Sequence, residues 1–225
     1  MEGLPDHSVR RPGHGRRGRG RHRHPVTRLI VWRHGNTDWN AERRVQGQAD
    51  VPLNDLGRRQ AAEAAAVLAE RQPAAIVASD LTRAASTAAA LSAVTGLSVS
   101  HDERLRERFF GEWQGLTTAE VASRRPAEFA RWKAGADVVG GGVETLDDLG
   151  KRVSDALHDA AALAPGETVV VATHGAAARQ GVGQLLGWPR EQVRTLRGLH
   201  NCHWFELTHE EGPGWQLLAY NVGVR

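Results

Sequence analysis

Two histidines and two arginines stand just past short apolar runs in this chain. Arg33-His34-Gly35 follows Leu29-Ile30-Val31-Trp32. Ser79, Asp80 and Arg83 follow Ala75-Ile76-Val77-Ala78, and His174-Gly175 follows Thr168-Val169-Val170-Val171-Ala172. Guanidinium groups hold phosphate or carboxylate through paired, charge-assisted hydrogen bonds. Two of them from separate strands can clamp the oxygens of one phosphoryl group. A neutral imidazole between them can attack phosphorus and form a covalent phosphohistidine. A second histidine can donate to the transferring oxygens as charge builds on them. The leaving oxygen then needs a proton, which a carboxylic acid can supply. Glu107, in Leu105-Arg106-Glu107-Arg108-Phe109-Phe110-Gly111, is the best candidate, with Glu103 and Glu112 as nearby rivals.

The elements around these residues alternate. Strands are predicted at 29–32, 75–79, 97–100 and 168–172. Helices are predicted from a cap at Asn54 or Asp55 to about 71, over 81–95 with Gly96 at its end, over 145–163, and over 176–186. Residues 117–134 read as helical with a break at Pro126, and 140–142 as a glycine connection. Near the C-terminus, 203–207 and 215–220 read as a hairpin around Glu211-Gly212-Pro213-Gly214. This order predicts an α/β fold: a three-layer sandwich with a largely parallel central sheet and helices on both faces. Ligands then bind beyond the C-terminal ends of the strands, where these histidines and arginines stand.

Composition narrows the class. The 225 residues are 40% hydrophobic and 24% charged, which suits one soluble globular domain. The net charge of +3 is unevenly spread. Residues 1–26 hold seven arginines against two acids, a local +5, so residues 27–225 carry −2. The stretch 10–25 holds Arg, Gly, His and Pro and nothing aliphatic, so 1–26 is predicted to be a disordered basic tail and 27–225 the folded domain. The tail reads as a dispensable extension or as a polyanion-binding arm, and nucleic acid is not the expected partner of the domain. A single cysteine excludes a disulfide scaffold and points to a reducing, cytoplasmic setting. No apolar run is long enough to span a bilayer, so no membrane partner is expected. Cys202 reads as an inert strand residue. His200 and His203 flank it, but strand alternation puts 200 and 202 on one face and 203 on the other, so no metal is expected.

The ordered blocks carry a further signal. Arg33-His34-Gly35-Asn36-Thr37 with Trp39-Asn40 is followed by Gln46-Gly47, then by Pro52-Leu53-Asn54-Asp55-Leu56-Gly57 and Gln60-Ala61. Next come Ser79-Asp80-Leu81 with Arg83-Ala84 and Thr87-Ala88. Leu105-Arg106-Glu107, Gly111-Glu112-Trp113-Gln114-Gly115, Gly142-Val143-Glu144-Thr145 and His174-Gly175 complete the series. In this order they resemble the histidine phosphatase superfamily, in its phosphoglycerate mutase-like branch, over about residues 27–186. The resemblance implies that His34 is the phosphorylated nucleophile and that Arg33 and Arg83 bind the phosphoryl group. It implies that His174 completes the pocket, that Asn40 contacts phosphate and that Glu107 is proton donor and then base. Gln46 and Gly47 fall where the family contacts the rest of its substrate. Val143 departs from the family pattern, which has glycine there.

The resemblance implies a metal-independent phosphomonoester hydrolase without a cofactor, acting on a small phosphorylated metabolite. Phosphoglycerate mutase-type transfer is the alternative, disfavoured because 111–142 is too short for the mutases' insertion. A non-catalytic phospho-ligand or RNA-binding protein is the second alternative. Stretches 45–50, 71–73 and 111–117 look like the actinobacterial glucosyl-3-phosphoglycerate phosphatase type. That compound or a related phosphoglycerate derivative is the substrate this resemblance implies, with phosphoserine, α-ribazole phosphate and a broad range of phosphomonoesters as the alternatives. The C-terminal hairpin offers an edge for a homodimer.

Overall fold

The computed structural model describes residues 26–138 and 140–224; the basic tail predicted from the sequence lies, up to Pro25, outside the described residues. Six strands form one sheet: β1 (Thr27–Arg33), β2 (Pro73–Ala78), β3 (Val99–His101), β4 (Thr168–Thr173), β5 (Trp204–Glu210) and β6 (Gly214–Val222). The order across the sheet is β3-β2-β4-β1-β5-β6. The first four are mutually parallel, with Leu29 opposite Val169 and Ile76 opposite both Val99 and Val170. β5 runs antiparallel to β1, and β6 antiparallel to β5 as the predicted hairpin. The sheet is thus mixed, with the antiparallel pair at one edge.

Among the described residues, eight α-helices accompany the strands: α1 (Asp38–Ala41), α2 (Asp55–Ala69), α3 (Thr82–Thr95), α4 (Thr118–Arg124), α5 (Pro126–Lys133), α6 (Leu146–Ala161), α7 (Gly175–Leu185) and α8 (Arg190–Val193). The predicted cap of α2 is present: the Asn54 side chain accepts the Gly57 N–H. Thr145, read as the first helical residue, is instead the cap of α6, accepting the Asp148 N–H. Gly96 closes α3 in the left-handed region, at φ 76°. Pro126 divides α4 from α5, as its missing N–H requires.

Strand alternation sorts the core into layers. Leu29, Val31, Val169 and Val171 face α6 and α7, packing on Leu149, Val153, Ala178 and Val182. Ile30, Trp32, Val170 and Ala172 face α2 and α3, packing on Ala64, Leu68, Ala88 and Leu91. The small alanines let these helices lie close on the sheet. A separate cluster of Val45, Phe110, Trp113, Val121 and Val138 underlies α4 and α5, beyond the strand ends. Cys202 corrects one expectation. It stands in the turn before β5, at φ 56°, so the alternation argument for residues 200 and 202 does not apply there. Among the described residues, no three His, Cys, Asp or Glu side chains are grouped as metal ligands.

Candidate active site

A cavity of about 440 Å³ opens over the C-terminal ends of β1 and β4. Arg33, His34, Asn40, Gln46, Arg83 and Glu107 line it. His174 lies fully buried against it, with its ring centroid 5.2 Å from that of His34 and the planes 59° apart. The sequence-predicted residues therefore come together, six of them lining the cavity, with His174 and Gly47 behind it; the Gly47 carbonyl holds Arg83.

Each imidazole is fixed by one nitrogen. His34 Nδ1 lies 2.7 Å from the Gly35 carbonyl. A carbonyl only accepts, so Nδ1 carries the proton and Nε2 keeps its lone pair. His174 is held through Nε2, 2.9 Å from Ser79 Oγ, while its Nδ1 is buried and has no partner among the described residues. Ser79 Oγ accepts the Leu81 N–H at 3.3 Å and can donate its own proton to His174 Nε2. With Ser79 as the donor, the ring proton of His174 stands on Nδ1. Burial first, then the positive charge of Arg83 and neighbouring groups, holds both histidines well below the usual imidazole range. Both rings are therefore neutral at neutral pH.

The arginines are anchored by main chain, not by carboxylates. Arg83 donates to the carbonyls of Gly47 (2.7 Å) and Ala49 (2.8 Å), and Arg33 donates to that of Leu199. Both keep a buried Nε without a partner among the described residues. Neutral acceptors fix the guanidiniums without spending their charge, which stays available for an anion. Burial pushes Arg83 down to about 10, still charged at neutral pH.

Glu107 sits at the N-terminus of α7. Its Oε1 accepts the N–H groups of Ala177 (2.9 Å) and Arg108 (2.8 Å), and Oε2 accepts that of Ala176 at 3.1 Å. Oε2, with a single donor, is the freer oxygen. The rivals lie elsewhere: Glu112 pairs with Arg125 and Glu103 with Arg106. Asn40 combines two duties. Its Oδ1 accepts from the Thr37 N–H and hydroxyl in the capping box of α1, while its amide nitrogen is left for the cavity.

Several supporting residues have roles that the sequence reading did not assign. Asn201 donates to the His34 carbonyl (3.0 Å) and to Asn40 Oδ1 (3.3 Å), tying the two together from across the sheet. Thr87 accepts the Gly35 N–H at 3.1 Å and donates to the Arg83 carbonyl at 2.7 Å. Gly35 and Gly57 nearly touch: a β-carbon on Gly35 would lie 2.4 Å from the Gly57 carbonyl oxygen, and one on Gly57 would lie 2.0 Å from that of Asn36. Arg179, one turn into α7, also lines the cavity. Helical spacing offers a signal for it, because residues 175, 176 and 179 share one face.

This geometry has counterparts among known proteins. Residues 29–223 match the model of the histidine phosphatase superfamily (branch 1). A glucosyl-3-phosphoglycerate phosphatase from Mycolicibacterium vanbaalenii is 39% identical over 217 residues, covering 89% of this chain and 96% of that protein. Its namesake from Mycobacterium tuberculosis is 37% identical over 213 residues, covering 88% and 96%. The solved structure of a mycobacterial glucosyl-3-phosphoglycerate phosphatase with VO3 superposes with a TM-score of 0.81 at 38% identity, covering 88% of this chain and all of that one. The chain belongs to the histidine phosphatase superfamily, branch 1, as one of its phosphoric monoester hydrolases.

Proposed function

We propose that this phosphatase hydrolyses glucosyl-3-phosphoglycerate or a close phosphoglycerate derivative through a phosphohistidine at His34. The observation that carries the mechanism is the pairing of His34 Nδ1 with the Gly35 carbonyl, which leaves Nε2 as a neutral nucleophile between Arg33 and Arg83. In the first step Nε2 attacks phosphorus and the bond from phosphorus to the ester oxygen breaks. Arg33, Arg83, Asn40 and the His174 Nδ1–H hold the three peripheral oxygens. Glu107, protonated on Oε2, gives its proton to the departing alkoxide. In the second step the Glu107 carboxylate takes a proton from water, the hydroxyl attacks phosphorus and the N–P bond breaks. Inorganic phosphate leaves and Glu107 is protonated again.

The substrate assignment is supported by the named activity of the relatives, which share most of their length with this chain. Gln46 keeps a buried Oε1 without a partner, an acceptor for a substrate hydroxyl. Among the described residues the segment between Glu107 and α6 holds a 3₁₀ turn at Gly111–Trp113 and the short helices α4 and α5, a small cover that favours hydrolysis over transfer. A buried, unreactive Cys202 thiol, pushed up to about 12, suits work in the cytoplasm. β6 is an edge strand with exposed Leu218, which supports pairing with a second copy.

The test is phosphate release over a panel of phosphorylated metabolites that includes glucosyl-3-phosphoglycerate, with His34→Ala as control. The expected result is the highest kcat/KM on a phosphoglycerate derivative, abolished in the variant. Highest kcat/KM on an uncharged-aglycone phosphomonoester, or conversion of 3-phosphoglycerate to 2-phosphoglycerate without free phosphate, contradicts it.

A further inference from the structure

A second cavity of about 330 Å³ shares two walls with the first: Trp132 and Arg179 line both. Its other side chains of note are Lys133, at the end of α5, and Arg194, just after α8. Three cations thus meet there, and no acidic residue lines the cavity. This departs from the rest of the surface, where the arginines are mostly paired. Arg44, Arg58, Arg104, Arg106, Arg125 and Arg190 each have a carboxylate partner. Arg179 has a buried Nε with no partner among the described residues, and its nearest protein acceptor is the Leu196 carbonyl at 3.5 Å. Arg194 is positioned from below: Val193 is buried beneath it, and its own side chain lies along Gly135. Unpaired cations gathered in a concave site carry a repulsive cost that an anion relieves.

We propose that this cavity seats a second anionic group of the substrate, a carboxylate, held by Lys133, Arg179 and Arg194 while the phosphoryl group lies on His34. The proposal rests on the phosphatase reading above and names what selects among phosphomonoesters. Arg179 links the two seats, because it belongs to both cavities and to the helix whose N-terminus holds Glu107. A bidentate guanidinium–carboxylate pair distinguishes a carboxylate from a hydroxymethyl group of similar size.

Two probes differ in that group alone: 3-phosphoglycerate and glycerol 3-phosphate. Their inhibition constants are measured against p-nitrophenyl phosphate hydrolysis by the full chain. The wild type is expected to bind 3-phosphoglycerate more tightly. Arg194→Met should reduce that preference about tenfold, the loss of roughly one charge-assisted pair. Arg194→Lys should restore much of it, and Lys133→Met should shift it in the same direction as Arg194→Met. Equal constants for the two probes in the wild type, or a preference unmoved by both Met variants, overturns the proposal. His34→Ala reports separately on the phosphatase reading. Persisting hydrolysis in that variant sinks that reading, and the carboxylate seat falls with it.

Discussion

His34 and His174 are held by opposite nitrogens, His34 through Nδ1 on the Gly35 carbonyl and His174 through Nε2 on Ser79 Oγ. Their free nitrogens therefore differ in kind. His34 offers a lone pair and His174, with Ser79 as donor to its Nε2, offers a proton, although both rings are neutral and 5.2 Å apart. The difference is set by the neighbours, since the side chains are identical.

Ser79→Ala removes the hydroxyl that holds the His174 ring through Nε2. The buried Nε2 then has no partner, at a cost of about 1–3 kcal/mol in stability. The ring is also free to place its proton on Nε2. Steady-state kinetics should show kcat lowered about tenfold or more with KM little changed, because the lost donor acts on the transition state. A change confined to KM would assign Ser79 to ground-state binding.

Glu107→Gln keeps the size of the side chain and removes the transferable proton. General acid catalysis contributes about 10²–10⁴-fold, and most to poor leaving groups. In kcat/KM, which reports the phosphorylation step alone, the variant should lose that factor on alkyl phosphates and much less on p-nitrophenyl phosphate, whose leaving group departs unaided. Equal losses of kcat/KM on both would show that Glu107 does not protonate the leaving oxygen.

Gly57→Ala tests the contact that places the nucleophile loop. The added carbon would meet the Asn36 carbonyl oxygen at 2.0 Å, two residues past His34. Backbone must shift, at about 1–3 kcal/mol for overpacking or more. Chemical denaturation should show that loss, with activity reduced alongside. A variant of unchanged stability and activity would mean that the α2 end moves freely.

How much of this site was legible follows from where its parts lie. Arg33, His34, Arg83, Glu107 and His174 sit at the ends of apolar strands or in a short motif, so their types and order announce them. The supports do not. Asn201 reaches His34 from before β5, and β5 joins β1 only through the antiparallel register at the sheet edge, which no local pattern encodes. Thr87 belongs to one of the ordered blocks, but its role, tying Gly35 to Arg83, appears only in the fold. Cys202 was misread because an apolar run was extended back into a turn with positive φ. Gly47 was grouped with substrate contacts, whereas its carbonyl orients Arg83. The layers, in contrast, follow directly from alternation in β1 and β4.

Stability should depend on pH through the two histidines. Their folded values are lowered, mainly by burial. Below about pH 6.5 the unfolded chain binds protons on both rings while the folded chain does not. Stability is thus full above that pH and falls as pH drops towards the folded values, by at most about 1.4 kcal/mol per pH unit for each ring. Urea unfolding at about pH 7.5 and about pH 5.5 should show a smaller drop for His34→Asn than for the wild type. Equal drops would mean that His34 titrates normally.

The most direct test of the central claim is to trap the intermediate. The protein is mixed with ³²P-labelled substrate, quenched in alkali within the first turnover, and the labelled peptide is mapped. The account predicts an acid-labile, alkali-stable label on His34, absent in His34→Ala. Phosphate release at full rate with no covalent label, or a label on His174, would contradict it.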